Sequence, residues 1–149
     1  MTIGAICTRK VITVDREIDI PVAARVMRDN HIGYLVVTDA RSGGSAPIGV
    51  ITDRDIVVKV LAKDVDPHTL TVGDVMTPQP LVAANDDGIG ETLRRMRQLG
   101  VRRVPVVGPG GRVSGVLSID DVVEHLGGLL SDVSESMRNE LRFERTLQT

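Results

Sequence analysis

Apolar positions along the chain alternate between two periods. Around residues 11–14, 34–38 and 48–51 they form short β-branched runs bounded by turn residues, the pattern of buried strands. At Ile20, Ala23, Ala24 and Met27 they recur every three or four residues, which predicts one apolar helix face. A second helix, 53–62, follows the third run directly. Further along, the order returns: a strand at 81–83, a helix carrying Ile89, Leu93 and Met96 with Gly100 suited to its C-cap, strands at 104–107 and 113–117, and a helix at 119–126.

The recurrence is an internal repeat. Sliding the chain by 69 positions lays Ile20, Arg25, Met27 and Arg28 on Ile89, Arg94, Met96 and Arg97. A slide of 66 lays Gly49-Val50-Ile51-Thr52 on Gly115-Val116-Leu117-Ser118, and Asp55-Ile56-Val57 on Asp121-Val122-Val123. The three-residue difference falls in the Gly/Ser/Pro-rich turns at 40–47 and 108–112, where length is tolerated. Each unit is a β-α-β-β-α of about 60 residues with little core of its own, so two copies packed about a pseudo-two-fold axis are expected. The expected fold class is α+β. Residues 1–68 form repeat 1 and 69–128 repeat 2, with 63–71 as connector and Thr71-Val72-Gly73-Asp74-Val75-Met76-Thr77-Pro78 restarting the pattern. After Gly127-Gly128 nothing repeats; Leu129, Leu130, Val133, Met137 and Leu141 predict an added amphipathic helix over 129–149. That helix has two open roles, packing on its own domain or forming a dimer contact.

Composition narrows the picture. The 149 residues are 42% apolar and 1% aromatic, with one Tyr, one Phe and no Trp. Eighteen basic against 20 acidic residues give a net charge of −2, without the basic excess or stacking aromatics that nucleic acid would require and without a pull toward an anionic membrane. Cys7 stands alone, so no intrachain disulfide or cysteine zinc site can close, which suits a cytoplasmic setting. No secretory or membrane-spanning segment is read from the apolar runs.

Gly49-Val50-Ile51-Thr52-Asp53-Arg54-Asp55 and Gly115-Val116-Leu117-Ser118-Ile119-Asp120-Asp121, with Asp74-Val75-Met76-Thr77 and Val104-Pro105-Val106-Val107, give the chain its likeness. From about residue 7 to 127 it resembles a tandem pair of cystathionine-β-synthase (CBS) domains, a Bateman module, and in particular small stand-alone bacterial two-CBS proteins. The resemblance implies clefts between the repeats that bind adenosine-containing ligands: AMP, ADP or ATP, with NAD or S-adenosylmethionine in some members. It implies that Asp55 and Asp121 hold ribose hydroxyls while Thr52 and Ser118 face phosphate. Elementary chemistry agrees, since a carboxylate can accept from both hydroxyls of a ribose and a helix start offers free N–H groups. The same Thr-x-x-Asp and Ser-x-x-Asp patterns are also capping boxes, and the two uses can coexist.

The family pattern further implies that basic residues before the second strand of one repeat serve the other repeat's Asp. Arg102 and Arg103 are therefore expected in the Asp55 cleft, ranking it first for a phosphorylated ligand, with a solvated charge patch as the plain alternative. By the same rule Arg54 supports phosphate in the Asp121 cleft and Asp120 opposes it in the Asp55 cleft. Adenine is expected against the first strands, through Ile12, Val14 and Val82, with Pro105 and Ile32 nearby, all equally suited to plain core. Tyr34 is the only aromatic of the repeat pair, so the walls must be mainly aliphatic.

Nothing in the pattern predicts catalysis or a metal site. His31, His68 and His125 lie in three separate contexts and read as surface or loop residues, Asp86-Asp87 suits a helix start, Cys7 has no obvious base beside it, and Gly108-Pro109-Gly110-Gly111 is a turn. The expected function is a non-catalytic sensor of adenine nucleotides that acts on a partner protein or through its own homodimer. The alternative is an assembly module with degenerate clefts.

Overall fold

The structure, a computed structural model, describes residues 1–147. A short α1 (Ile3–Ile6) precedes β1 (Thr13–Asp15), α2 (Ile20–Asn30), β2 (Tyr34–Thr38), β3 (Gly49–Thr52) and α3 (Asp53–Lys59). The second half runs through α4 (Val72–Val75), β4 (Thr77–Pro78), β5 (Ala83–Ala84), α5 (Ile89–Leu99), β6 (Arg103–Val107), β7 (Val113–Ser118) and α6 (Ile119–Leu147). Both halves have the expected β-α-β-β-α order in a mixed fold with two sheets, β1-β2-β3-β4 and β5-β6-β7. In each, the first strand pairs parallel to the second across a helix and the second pairs antiparallel to the third. A parallel pair needs such a crossover, whereas the antiparallel pair closes through a short turn.

Two aliphatic cores lie under the sheets. One gathers Val14, Ile20, Ala23, Met27, Leu35, Val37, Ile51 and Val60; the other Ala83, Met96, Val104, Val106 and Leu117. Each core is completed by the segment that precedes the other half. Ile3 and Cys7 are buried in the second core, and Val72 and Val75 in the first. Thr8 and Val116 exchange two backbone hydrogen bonds of 3.0 Å, while β4 pairs antiparallel to β3. Gly115 and Gly49 permit these approaches: a Cβ on Gly115 would lie 2.7 Å from the Thr8 carbonyl oxygen, and one on Gly49 would collide with the Met76 sulfur.

Local expectations shift in four places. β1 begins two residues late and β5 is two residues long, although the Ile12 carbonyl accepts from the Val36 N–H and the Asn85 N–H donates to the Val107 carbonyl just outside them. α3 stops at Lys59 and passes into a 3-10 turn, Leu61–Lys63, closed by Asp64 in the left-handed region at φ 53°. The connector holds a further 3-10 turn, Pro67–Thr69, capped by the Asp66 carboxylate. Most consequentially, Gly127-Gly128 does not separate two helices: α6 is continuous for 29 residues. Neither glycine has positive φ, and a glycine inside a helix costs only about 1 kcal/mol, which the helix-forming flanks offset.

Candidate functional site

The cleft of interest lies between the two halves and has a volume of about 380 Å³, within the roughly 300–1,000 Å³ typical of small-molecule sites. Its walls come from both repeats. The first contributes Lys10, Val11, Ile12, Asn30, His31, Ile32, Gly33 and Tyr34; the second contributes Arg103, Val116, Ser118 and Asp121, with Thr8 at their junction. Val11, Ile12, Ile32 and Val116 form aliphatic surface. Lys10 and Arg103 bring positive charge and Asp121 the only carboxylate.

The floor of the cleft follows from local sequence. Ser118 ends β7 and Asp121 sits in the first turn of α6, so the hydroxyl and carboxylate fold onto each other. The Asp121 backbone N–H donates to Ser118 Oγ at 3.1 Å, and Asp121 Oδ2 accepts from the Ser118 N–H and hydroxyl, both at 2.8 Å. Oδ1 receives a single hydrogen bond of 3.2 Å from the Thr8 hydroxyl. The first repeat builds the same box: the Thr52 N–H donates to Asp55 Oδ2 at 2.9 Å and the Asp55 N–H to Thr52 Oγ1 at 3.1 Å. There, however, Oδ1 is ion-paired with Lys59 at 3.1 Å, and Lys59 also donates to the Val75 carbonyl. Both acids are therefore caps. They differ in the second oxygen, held by a cation in repeat 1 and by a neutral hydroxyl in repeat 2.

Arg103 departs from expectation. It lines the cleft of Ser118 and Asp121, and the β6–β7 register sets it opposite Ser118. The family pattern had implied a place for Arg103 in the Asp55 cleft. Arg102 points elsewhere and forms an exposed 3.7 Å ion pair with Asp120, as a surface patch would. In this cleft Arg103 acts without Arg102 and stands with Asp121. Arg54 is exposed, its N–H donating to Asp53 Oδ1, and it does not line this cleft. Of the adenine candidates, Ile12 lines the cleft; Val14 is buried in the first core, Pro105 is buried within β6, and Val82 is half-buried, its carbonyl accepting from Arg95.

Four polar lining residues escape motif reading: Thr8, Lys10, Asn30 and His31. His31 left a trace in the sequence, since it occupies the C-cap of α2 in the left-handed region (φ 53°) where the matching C-cap of α5 is Gly100. A histidine retained where glycine costs less points to a use for its side chain. Thr8 left none, because its position depends on α1 crossing to the second half. Tyr34 also lines the cleft. Its hydroxyl is buried without a hydrogen-bond partner, and burial holds the phenol far above its ordinary pKa, with Arg103 opposing. Cys7, behind Gly115, is likewise shifted upward by burial, which disfavours the reactive thiolate. Among the described residues, no three His, Cys, Asp or Glu side chains gather to hold a metal ion, and no helix is long and apolar enough to cross a membrane.

Comparison with known proteins agrees with this architecture. The model of the CBS domain matches twice, over residues 3–62 and 72–128. Hypoxic response protein 1 of Mycobacterium tuberculosis is 36% identical over 104 residues, covering 70% of each chain. A crystal structure of Hypoxic Response Protein I with two coordinated zinc ions superimposes with a TM-score of 0.73 at 33% identity, covering 84% of this chain and 98% of that one. A CBS domain pair in complex with 5′-methylthioadenosine and S-adenosyl-L-methionine superimposes with a TM-score of 0.73 at 26% identity, covering 86% of this chain and 97% of its own.

Proposed function

The chain belongs to the CBS-domain family, and from that premise we propose that it is a non-catalytic regulatory module that binds an adenosine phosphate in the Ser118–Asp121 cleft. The carrying observation is the state of Asp121. Its Oδ1 is held only by the Thr8 hydroxyl, which a ribose hydroxyl can replace without leaving a charge unpaired. At Asp55 the same exchange would break the Lys59 ion pair.

The adenosine part of the reading rests on the related domain pair solved with adenosine ligands and on the aliphatic walls, which suit an uncharged base. The phosphate part rests on Lys10 and Arg103 facing one carboxylate. A guanidinium binds phosphate through paired N–H donors and keeps its charge at every physiological pH. S-adenosylmethionine, a cation beyond its carboxylate, matches that balance less well.

Output runs through α6. The helix starts one residue after Ser118, carries Asp121 in its first turn, and then extends with Val123, Leu126, Leu130, Val133, Met137 and Leu141 exposed along its length. A ligand that bridges the halves therefore bears on the base of a helix whose far end offers an apolar stripe to a partner. The same stripe favours a second reading, in which the module serves assembly.

Thermal unfolding separates the two. At about 100 Kd a specific ligand adds about 2.7 kcal/mol, or roughly 6–10 °C for a domain of this size. AMP, ADP or ATP should raise Tm by that amount, with S-adenosylmethionine and NAD producing less. No shift with any of them would leave only the assembly reading.

A further inference from the structure

Tyr34 is half-buried at the start of β2, in register with Thr52 of its own repeat, yet it lines the cleft whose floor is Ser118 and Asp121 of the other. Its place in repeat 1 corresponds to that of Arg103 in repeat 2, and both residues stand on the wall of the same cleft. The hydroxyl has no hydrogen-bond partner although it is buried, which is costly for a group that can both donate and accept. Among the described residues, only one other buried side-chain polar atom shares that state, His125 Nε2, and His125 does not line this cleft. Phenylalanine would fill the same space without the unpaired hydroxyl, so packing alone does not account for a tyrosine here.

We infer that the Tyr34 hydroxyl is a ligand-binding group, donating a hydrogen bond to the same phosphate that the Arg103 guanidinium holds. The inference rests on the adenosine-phosphate reading of the cleft and deepens it by naming a recognition group. Three features favour phosphate over base or ribose. Arg103 is close enough to act on the phenol electrostatically. The phenol stays protonated through the physiological range, so it can donate to an anion. Asp121 on the cleft floor is an acceptor, suited to ribose hydroxyls rather than to an anion. Arg103, an exposed and long side chain, can reorient as the anion arrives and open a path to the hydroxyl.

The test is Tyr34→Phe, titrated calorimetrically with AMP and with adenosine. A hydrogen bond to a charged group is worth about 1.5–3 kcal/mol, so AMP affinity should fall by roughly tenfold or more while adenosine affinity holds. The free variant should unfold at the same temperature as the native chain or higher, because an unpaired buried hydroxyl is gone; a purely structural tyrosine would not combine greater stability with weaker AMP binding. Equal AMP affinity in the two chains would overturn the inference, and equal losses for AMP and adenosine would overturn its assignment to phosphate. If the native chain binds neither molecule, the cleft reading itself falls and this inference with it.

A second measurement needs no variant. The chain has one tyrosine and no tryptophan, so its tyrosine emission reports on Tyr34 alone. AMP should change that emission, corrected for adenine absorption, more than adenosine does; an equal response, or none, would again count against phosphate contact.

Discussion

A carboxylate's value to a ligand depends on what already holds its second oxygen, and Asp55 and Asp121 show this within one chain. Both motifs were legible in the sequence as caps and as candidate ribose acceptors. Their inequality was partly legible too: the residue four positions on is Lys59 in one copy and His125 in the other, and an acid followed at i+4 by lysine is a familiar helical pair. Lys59→Ala should free Asp55 Oδ1 and create or strengthen a second binding event in calorimetry, while the first is unchanged. His31 makes a separate prediction. Replacing a left-handed histidine by glycine relieves backbone strain, so His31→Gly should stabilise the free chain by about 1 kcal/mol in denaturant unfolding. If the imidazole serves the cleft, AMP binding should weaken in the same variant.

Acid sensitivity also belongs to single residues. Asp15 accepts hydrogen bonds from the Glu17 and Ala40 backbone N–H groups, and Asp74 from Thr71; each is held below its ordinary pKa of 3.8 by these bonds first. A depressed carboxylate contributes stability that is present above its unfolded pKa and lost as pH falls through the folded value. Stability should therefore be level at mildly acidic pH and decline only below about pH 4, as followed by circular dichroism.

At the scale of elements, periodicity located the strands and helices of both β-α-β-β-α units but not α1, α4 or β4, and it could not show that each half borrows its last layer from the segment before the other. That exchange rests on two glycines rather than on any apolar pattern. Gly115→Ala would drive a Cβ into the Thr8 carbonyl, lift residues 3–8 from β7 and remove the Thr8 hydrogen bond from Asp121. We expect a loss of about 1–3 kcal/mol in stability together with weaker AMP binding. Arg103 was expected at Asp55 from the family pattern, and the structure sets it on the wall of the Ser118–Asp121 cleft, opposite Ser118 in register. The continuous α6 was missed because Gly127-Gly128 reads as a stop when only propensity is considered.

On the scale of the whole molecule, the chain is a pair of small aliphatic units with an open cleft between them and a long helix leading away from it. From residue 129 to 147 every position of that helix is exposed, so its apolar stripe adds nothing to the packed body. Truncation after Gly128 should consequently leave the unfolding temperature of the body nearly unchanged in dilute solution. If the stripe pairs two copies, light scattering should show the truncated chain at lower mass; an unchanged mass would exclude pairing through this segment. We expect ligand binding to centre on Asp121 rather than Asp55. Calorimetric titration of AMP into Asp121→Asn and Asp55→Asn tests it most directly, since asparagine keeps an acceptor for each cap and removes the charge. Asp121→Asn should lose at least tenfold in affinity and Asp55→Asn should change little. The reverse order, or equal losses, would contradict it.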